Sequence, residues 1–133
     1  CPKLMNEKDW YDVDVITCAA PNLRERPSNR FNKDNGNWAA KVSDRELLEI
    51  HKKRLTRILD IAVLNGAEVV ILGAFGCGAF QNKPEVVARA AKEVITDYRH
   101  AFKTIEFAVY CSPRDDTNFK VFKRVMGQIQ DRG

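Results

Sequence analysis

Val69-Val70-Ile71-Leu72-Gly73-Ala74-Phe75-Gly76-Cys77-Gly78-Ala79-Phe80 is the stretch that decides the fold. With Glu68 before it, its apolar, β-branched opening predicts a short buried strand. The strand runs directly into a loop with glycines at 73, 76 and 78. Two of these flank Cys77 closely enough for a turn with positive φ angles, and all three leave backbone N–H groups uncovered. Pro84 then stands where a first-turn proline belongs, and Val86, Val87, Ala90, Val94 and Ile95 carry a helix to about residue 100. A loop so placed can aim several amides at one anion, with the positive end of the next helix dipole behind them. A diphosphate is its natural guest, although a tight connection that needs small residues has the same composition. Neither GxxxxGKS/T nor GxGxxG occurs, which excludes the usual triphosphate and dinucleotide fingerprints.

Upstream, Ser43 stands three residues before Glu46, a capping-box spacing that opens a helix to about residue 64. Leu48, His51, Leu55, Ile58, Leu59 and Ala62 share its apolar face, and Asn65-Gly66 supplies the stop. Before it, residues 23–40 turn to Asn, Arg, Lys, Pro and Gly without a period, a loop whose length fits either a functional element or a surface excursion. Earlier still, Val13-Asp14-Val15-Ile16-Thr17-Cys18-Ala19-Ala20 reads as a buried strand stopped by Pro21-Asn22.

Downstream, residues 104–111 form a third strand closed by Ser112-Pro113. A last helix begins near Asp116 or Thr117, with Phe119, Phe122, Val125, Met126 and Ile129 inward. Three β–α units in this order predict an α/β fold, with a mostly parallel sheet covered by helices on both faces. Ligands of such sheets bind beyond the carboxyl ends of the strands, where Ala20-Pro21-Asn22, the glycine loop and Ser112-Pro113-Arg114 converge.

The chain's 133 residues fit one domain, and 44% hydrophobic with 30% charged residues is too apolar for intrinsic disorder. The apolar runs stop well short of the roughly 20 residues a membrane span needs, and no basic-then-apolar signal segment opens the chain, so the expected setting is cytoplasmic and away from membranes. A net charge of +4, spread along the chain, fits an anionic ligand without requiring one, and no direct nucleic-acid binding is expected. The cysteines at 1, 18, 77 and 111 show no CxxC pair and no zinc-ligand spacing, so reduced thiols and no metal are expected.

The string Gly73-Ala74-Phe75-Gly76-Cys77-Gly78-Ala79-Phe80-Gln81-Asn82-Lys83-Pro84, followed by Val86-Val87-Ala88, resembles the phosphate loop of microbial-type poly(ADP-ribose) glycohydrolases. Ile16-Thr17-Cys18-Ala19-Ala20-Pro21-Asn22 is similar to that family's preceding strand and turn, and the third strand and the helix start at residues 118–122 match in kind. The resemblance covers most of the chain and implies a macrodomain that holds ADP-ribose or poly(ADP-ribose) across its strand ends, with no cofactor and no metal. It places Gly73, Ala74, Phe75, Gly76, Cys77, Gly78, Ala79 and Phe80 at the ligand. The amides of Gly76, Cys77, Gly78 and Ala79 would face the diphosphate, and Phe80 the distal ribose. Asn22, Asn118 and Phe119 would line the rest of the cleft. On the residues alone, Phe80 serves either as a stacking surface for the ligand or as an anchor of the loop in the core, and Phe75 reads as core.

The departure from the family concerns catalysis. Its chemistry uses a second loop, a glycine run followed by adjacent glutamates, one of which is the acid on the glycosidic bond; this chain has no Gly-Gly-Gly and no Glu-Glu. In the family that loop precedes the segment corresponding to Val13. Because the sequence opens on Cys1-Pro2, the expectation is a single domain over residues 1–133 whose N-terminal portion, a partner for this part, lies outside it. No catalytic residue transfers. The alternatives are thus the binding part of a glycohydrolase of ribose–ribose bonds or a non-catalytic ADP-ribose reader. Asp115 and Asp116 read as helix caps, His51 as a hydrogen-bonded core residue, His100 as a helix-end base, and Cys77 lacks a partner base.

Overall fold

The computed structural model describes residues 3–24 and 42–129. Among these, two parallel strands and three helices follow one another as α1 (Asp44–Leu64), β1 (Val69–Leu72), α2 (Pro84–Asp97), β2 (Thr104–Phe107) and α3 (Thr117–Met126), after a short 3-10 turn at Glu7–Asp9. Most of the loop expected at residues 23–40 lies outside the described residues.

Local sequence sets the helix ends. Both halves of the capping box form at α1: the Glu46 N–H donates to Ser43 Oγ (3.2 Å), and the Ser43 N–H donates to Glu46 Oε2 (3.1 Å). Gly66, at φ +72°, ends the helix in the left-handed region, and the Ala67 N–H closes back on Ala62 O at 3.0 Å. Pro84 opens α2, which stops at Asp97, three residues before the expected end, because the chain turns there to let Phe102 enter the core.

The strands pair in parallel with Val70 beside Ile105 and Leu72 beside Phe107. Side chains alternate along a strand, so these four share one face. Leu59 and Ala62 of α1, Val94 and Ile95 of α2, and Met126 of α3 pack against that face. A second cluster, Val87, Ala88, Phe122 and Val125, continues the core beneath the glycine loop. Leu47 is sealed inside α1 as completely as Leu59, and the face assigned from periodicity did not include it.

Among the described residues no helix packs on the opposite face of the sheet, where Ile71 is 67% exposed, so the cover expected on both faces is seen on one. Residues 13–20 form no strand either, and Val15 is 80% exposed. A strand's identity lies in its ladder, and this segment does not join the hydrogen-bonded register of β1. It is held at its end instead, where Arg54 Nη1 donates to Ala19 O at 2.6 Å. The third predicted strand is also shorter, ending at Phe107 with one further ladder bond from the Ala108 N–H to Leu72 O. No described helix is long and apolar enough to cross a membrane.

Candidate functional site

The glycine loop leaves the carboxyl end of β1 as the spacing requires. Phe75 and Cys77 turn inward: Phe75 meets the His51 ring edge-on at 5.7 Å, and both residues pack on the cluster around Val87 and Phe122. Gly78 and Ala79 are exposed, with open space around the Gly78 Cα. Gly76 is at φ +77°, and a Cβ there would lie 2.7 Å from both Ala20 Cβ and Asn82 Nδ2. Only glycine satisfies that backbone angle and that approach together.

The loop's own hydrogen bonds sort its amides. The N–H groups of Phe75, Cys77, Gln81 and Asn82 donate to Gly73 O, Ala74 O, Gly78 O and Gly76 O. Among the described residues, those of Gly76, Gly78, Ala79 and Phe80 have no protein acceptor. The Cys77 amide is therefore committed inside the loop, unlike the expectation that it faces a ligand, and the Phe80 amide stands in the free set. The turn at Cys77 spends its N–H on closing itself.

Three other segments reach the loop. The Leu23 N–H donates to Phe80 O at 3.0 Å, which brings Asn22 and Arg24 alongside. The Arg24 guanidinium lies 5.8 Å from the Phe80 ring centroid, and its Nε is buried with no hydrogen-bond partner among the described residues. From α3, Asn118 Nδ2 donates to Cys77 O at 3.4 Å. Phe119, expected inward, is 39% exposed, with Lys123 Nζ over its ring, because Phe122 and Val125 occupy the inward positions of this turn. Phe80 itself is half-buried and stands in none of the apolar clusters.

Three residues here were not assigned a site role from the sequence: Arg24, His51 and Asn82. His51 and Asn82 are buried, with His51 Nε2 at 2.8 Å from Asn82 Oδ1. A histidine on an apolar helix face was the available signal for the pair; Arg24 had none beyond its position after Asn22.

The ionisable groups restrict the chemistry. Burial pushes the Cys77 thiol up to about 12, far from the range of a nucleophilic thiolate. A hydrogen bond from the Thr117 N–H holds the Asp115 carboxyl below its usual value, and Asp116 pairs with Lys120 at 3.0 Å. The Asp115 carboxyl is thereby held toward its charged form, the wrong state for a general acid. The described residues contain no group of three or more His, Cys, Asp or Glu that could hold a metal. A groove of about 940 Å3 runs between residues 11–18 and the α1–β1 side, and touches the loop only at Gly73 and Phe75. It is the space beside a sheet edge; the free amides lie elsewhere.

Fold and site together define an α/β, macrodomain-like protein with a glycine loop at the carboxyl end of a parallel strand. Its structure is similar to that of poly(ADP-ribose) glycohydrolase from Deinococcus radiodurans in complex with ADP-ribose, at TM-score 0.58 and 30% identity over 62% of this chain and 34% of that one. A second crystal form of that complex gives 0.59 and 30% over 65% and 35%, and the apo form gives 0.57 and 30% over 62% and 34%. The chain spans about a third of the length of these proteins. The resemblance carried by the sequence is thus matched in three dimensions. No family model and no curated protein matches the chain.

Proposed function

We propose that this chain is the ADP-ribose-binding part of a poly(ADP-ribose) glycohydrolase-type macrodomain. The observation that carries the reading is the set of four uncommitted amides, at Gly76, Gly78, Ala79 and Phe80, on a loop leaving a parallel strand. Such groups receive a diphosphate without needing a lysine. Arg24 supplies positive charge beside them, and Phe80 offers a half-exposed ring to a sugar. The likeness to a glycohydrolase solved with ADP-ribose supports the same ligand. Isothermal titration of the full chain with ADP-ribose, beside ribose 5-phosphate and adenosine, tests it. Micromolar binding of ADP-ribose alone is the expected result, and equal indifference to all three would end the proposal.

In the complete protein the proposed reaction is hydrolysis of ribose–ribose glycosidic bonds. Binding a diphosphate stabilises substrate and transition state alike, so the loop cannot by itself accelerate cleavage. The leaving ribose oxygen needs a proton from a carboxylic acid at hydrogen-bond distance. That acid is proposed to come from a segment outside this sequence. A non-catalytic reader is the second reading, favoured by the lowered pKa of Asp115 and the ion pair of Asp116 with Lys120. Release of ADP-ribose from polymer, by this chain and by the same chain with its upstream segment, separates the two.

A further inference from the structure

His51 and Asn82 are 3% and 2% exposed, and are the two buried polar side chains among the described residues. Asn82 Nδ2 donates to Pro21 O at 2.7 Å and Gly76 O at 2.9 Å, with a longer contact of 3.3 Å to Phe80 O. One amide group thus grips the turn before residue 22 and both ends of the 76–80 segment. Carbonyls surround Nδ2, so the other side of the carboxamide is Oδ1, facing His51 Nε2. Oδ1 can only accept, which places a hydrogen on Nε2. A flipped Asn82 would set Oδ1 against the carbonyls and its NH2 against an N–H donor. The His51 N–H therefore admits one orientation of Asn82. His51 is itself fixed on α1, with its ring edge-on to Phe75.

Pinning Gly76 O and Phe80 O fixes the peptide planes that bound the free amides of Gly78 and Ala79. We propose that His51 is a positioning residue for the glycine loop: through Asn82 it holds the uncommitted amides in the arrangement that receives the ligand diphosphate, without touching the ligand. This rests on the ADP-ribose reading for the ligand, whereas the orientation of the loop stands apart from it.

Two readouts keep the claims separable in the full chain. Amide hydrogen exchange without ligand reports the loop, and titration with ADP-ribose reports its use. His51→Leu fills similar space but cannot donate, and should speed exchange at Cys77, Gln81 and Asn82 at least tenfold while α1 and β1 keep their protection. It should also weaken ADP-ribose at least tenfold. His51→Gln restores a donor and should recover both within about threefold. Unchanged exchange in His51→Leu, or a Gln variant as impaired as the Leu variant, would overturn the proposal in favour of simple packing. If the Leu variant does not fold, the His51 Nε2–H signal of the unmodified chain decides. Coupling is reciprocal, so saturating ADP-ribose should slow its exchange at least tenfold, and no change would overturn the proposal. Should the unmodified chain not bind ADP-ribose at all, the ligand reading fails, while the exchange data still judge the role of His51.

Discussion

The guanidinium of Arg24 stands over the ring of Phe80, 5.8 Å from its centroid, and so joins the turn after residue 20 to the far end of the glycine loop. A cation on one face of a ring leaves its edge and other face for a ligand. Phe80→Ala should therefore cost much less than the about 3–5 kcal/mol of a packed core phenylalanine, yet weaken ADP-ribose about tenfold. Thermal unfolding and calorimetry on one sample check both halves. Arg24→Met keeps the aliphatic stem, and should lose a similar factor in affinity together with part of its dependence on salt.

Gly76 and Gly78 should respond in opposite ways to an added side chain. At Gly76 a Cβ meets Ala20 Cβ and Asn82 Nδ2 at 2.7 Å, on a backbone at φ +77°. Gly76→Ala should cost about 1–3 kcal/mol of stability. A Cβ at Gly78 would meet nothing within 4 Å among the described residues, so Gly78→Val should leave stability within about 0.5 kcal/mol while blocking the approach of the diphosphate. Equal melting temperatures for the two variants would contradict this reading of the loop.

Stability should fall as the solution is acidified below the ordinary imidazole range. Burial, helped by Arg54, holds the His51 pKa below its usual 6.5, against the opposing hydrogen bond to Asn82. The unfolded chain then binds more protons than the folded one between the two values, so stability is complete above about pH 6.5 and declines beneath it. Urea unfolding between pH 5 and 8 should show that slope, and His51→Gln should flatten it.

Cys77 should resist alkylation despite its glycine neighbours. With the thiol pushed up to about 12, the thiolate fraction at pH 8 is roughly one in ten thousand. Cys111 is exposed and should react with iodoacetamide well before Cys77, as mass spectrometry of the labelled peptides would reveal. Rapid labelling of Cys77 would reopen it as a nucleophile.

The helices and the glycine loop were legible because their signals are local. Ser43 and Glu46 lie within one turn of each other, Pro84 needs only its own ring to open a helix, and β1 is a run of adjacent apolar residues. The apolar run at residues 13–20 misled for the same reason. Composition reports that a segment could pair, whereas the ladder depends on a partner far along the chain. Likewise Phe119 has the right spacing for the inward side of α3, but Phe122 and Val125 take the core.

By itself the sequence determined an α/β chain, a glycine loop at a strand end, and a likeness to macrodomains that hold ADP-ribose, since these rest on neighbours in the chain and on a contiguous motif. Only the tertiary structure decided which amides the loop keeps free, that Cys77 is half-buried with its thiol pushed up, and that Arg24 lies over Phe80. It alone brought His51 to Asn82, 31 residues away, and Asn82 to Pro21, 61 residues away. A hydrogen bond between residues so far apart leaves no period or spacing to read, because its geometry exists only once the helix, the loop and the turn have packed together.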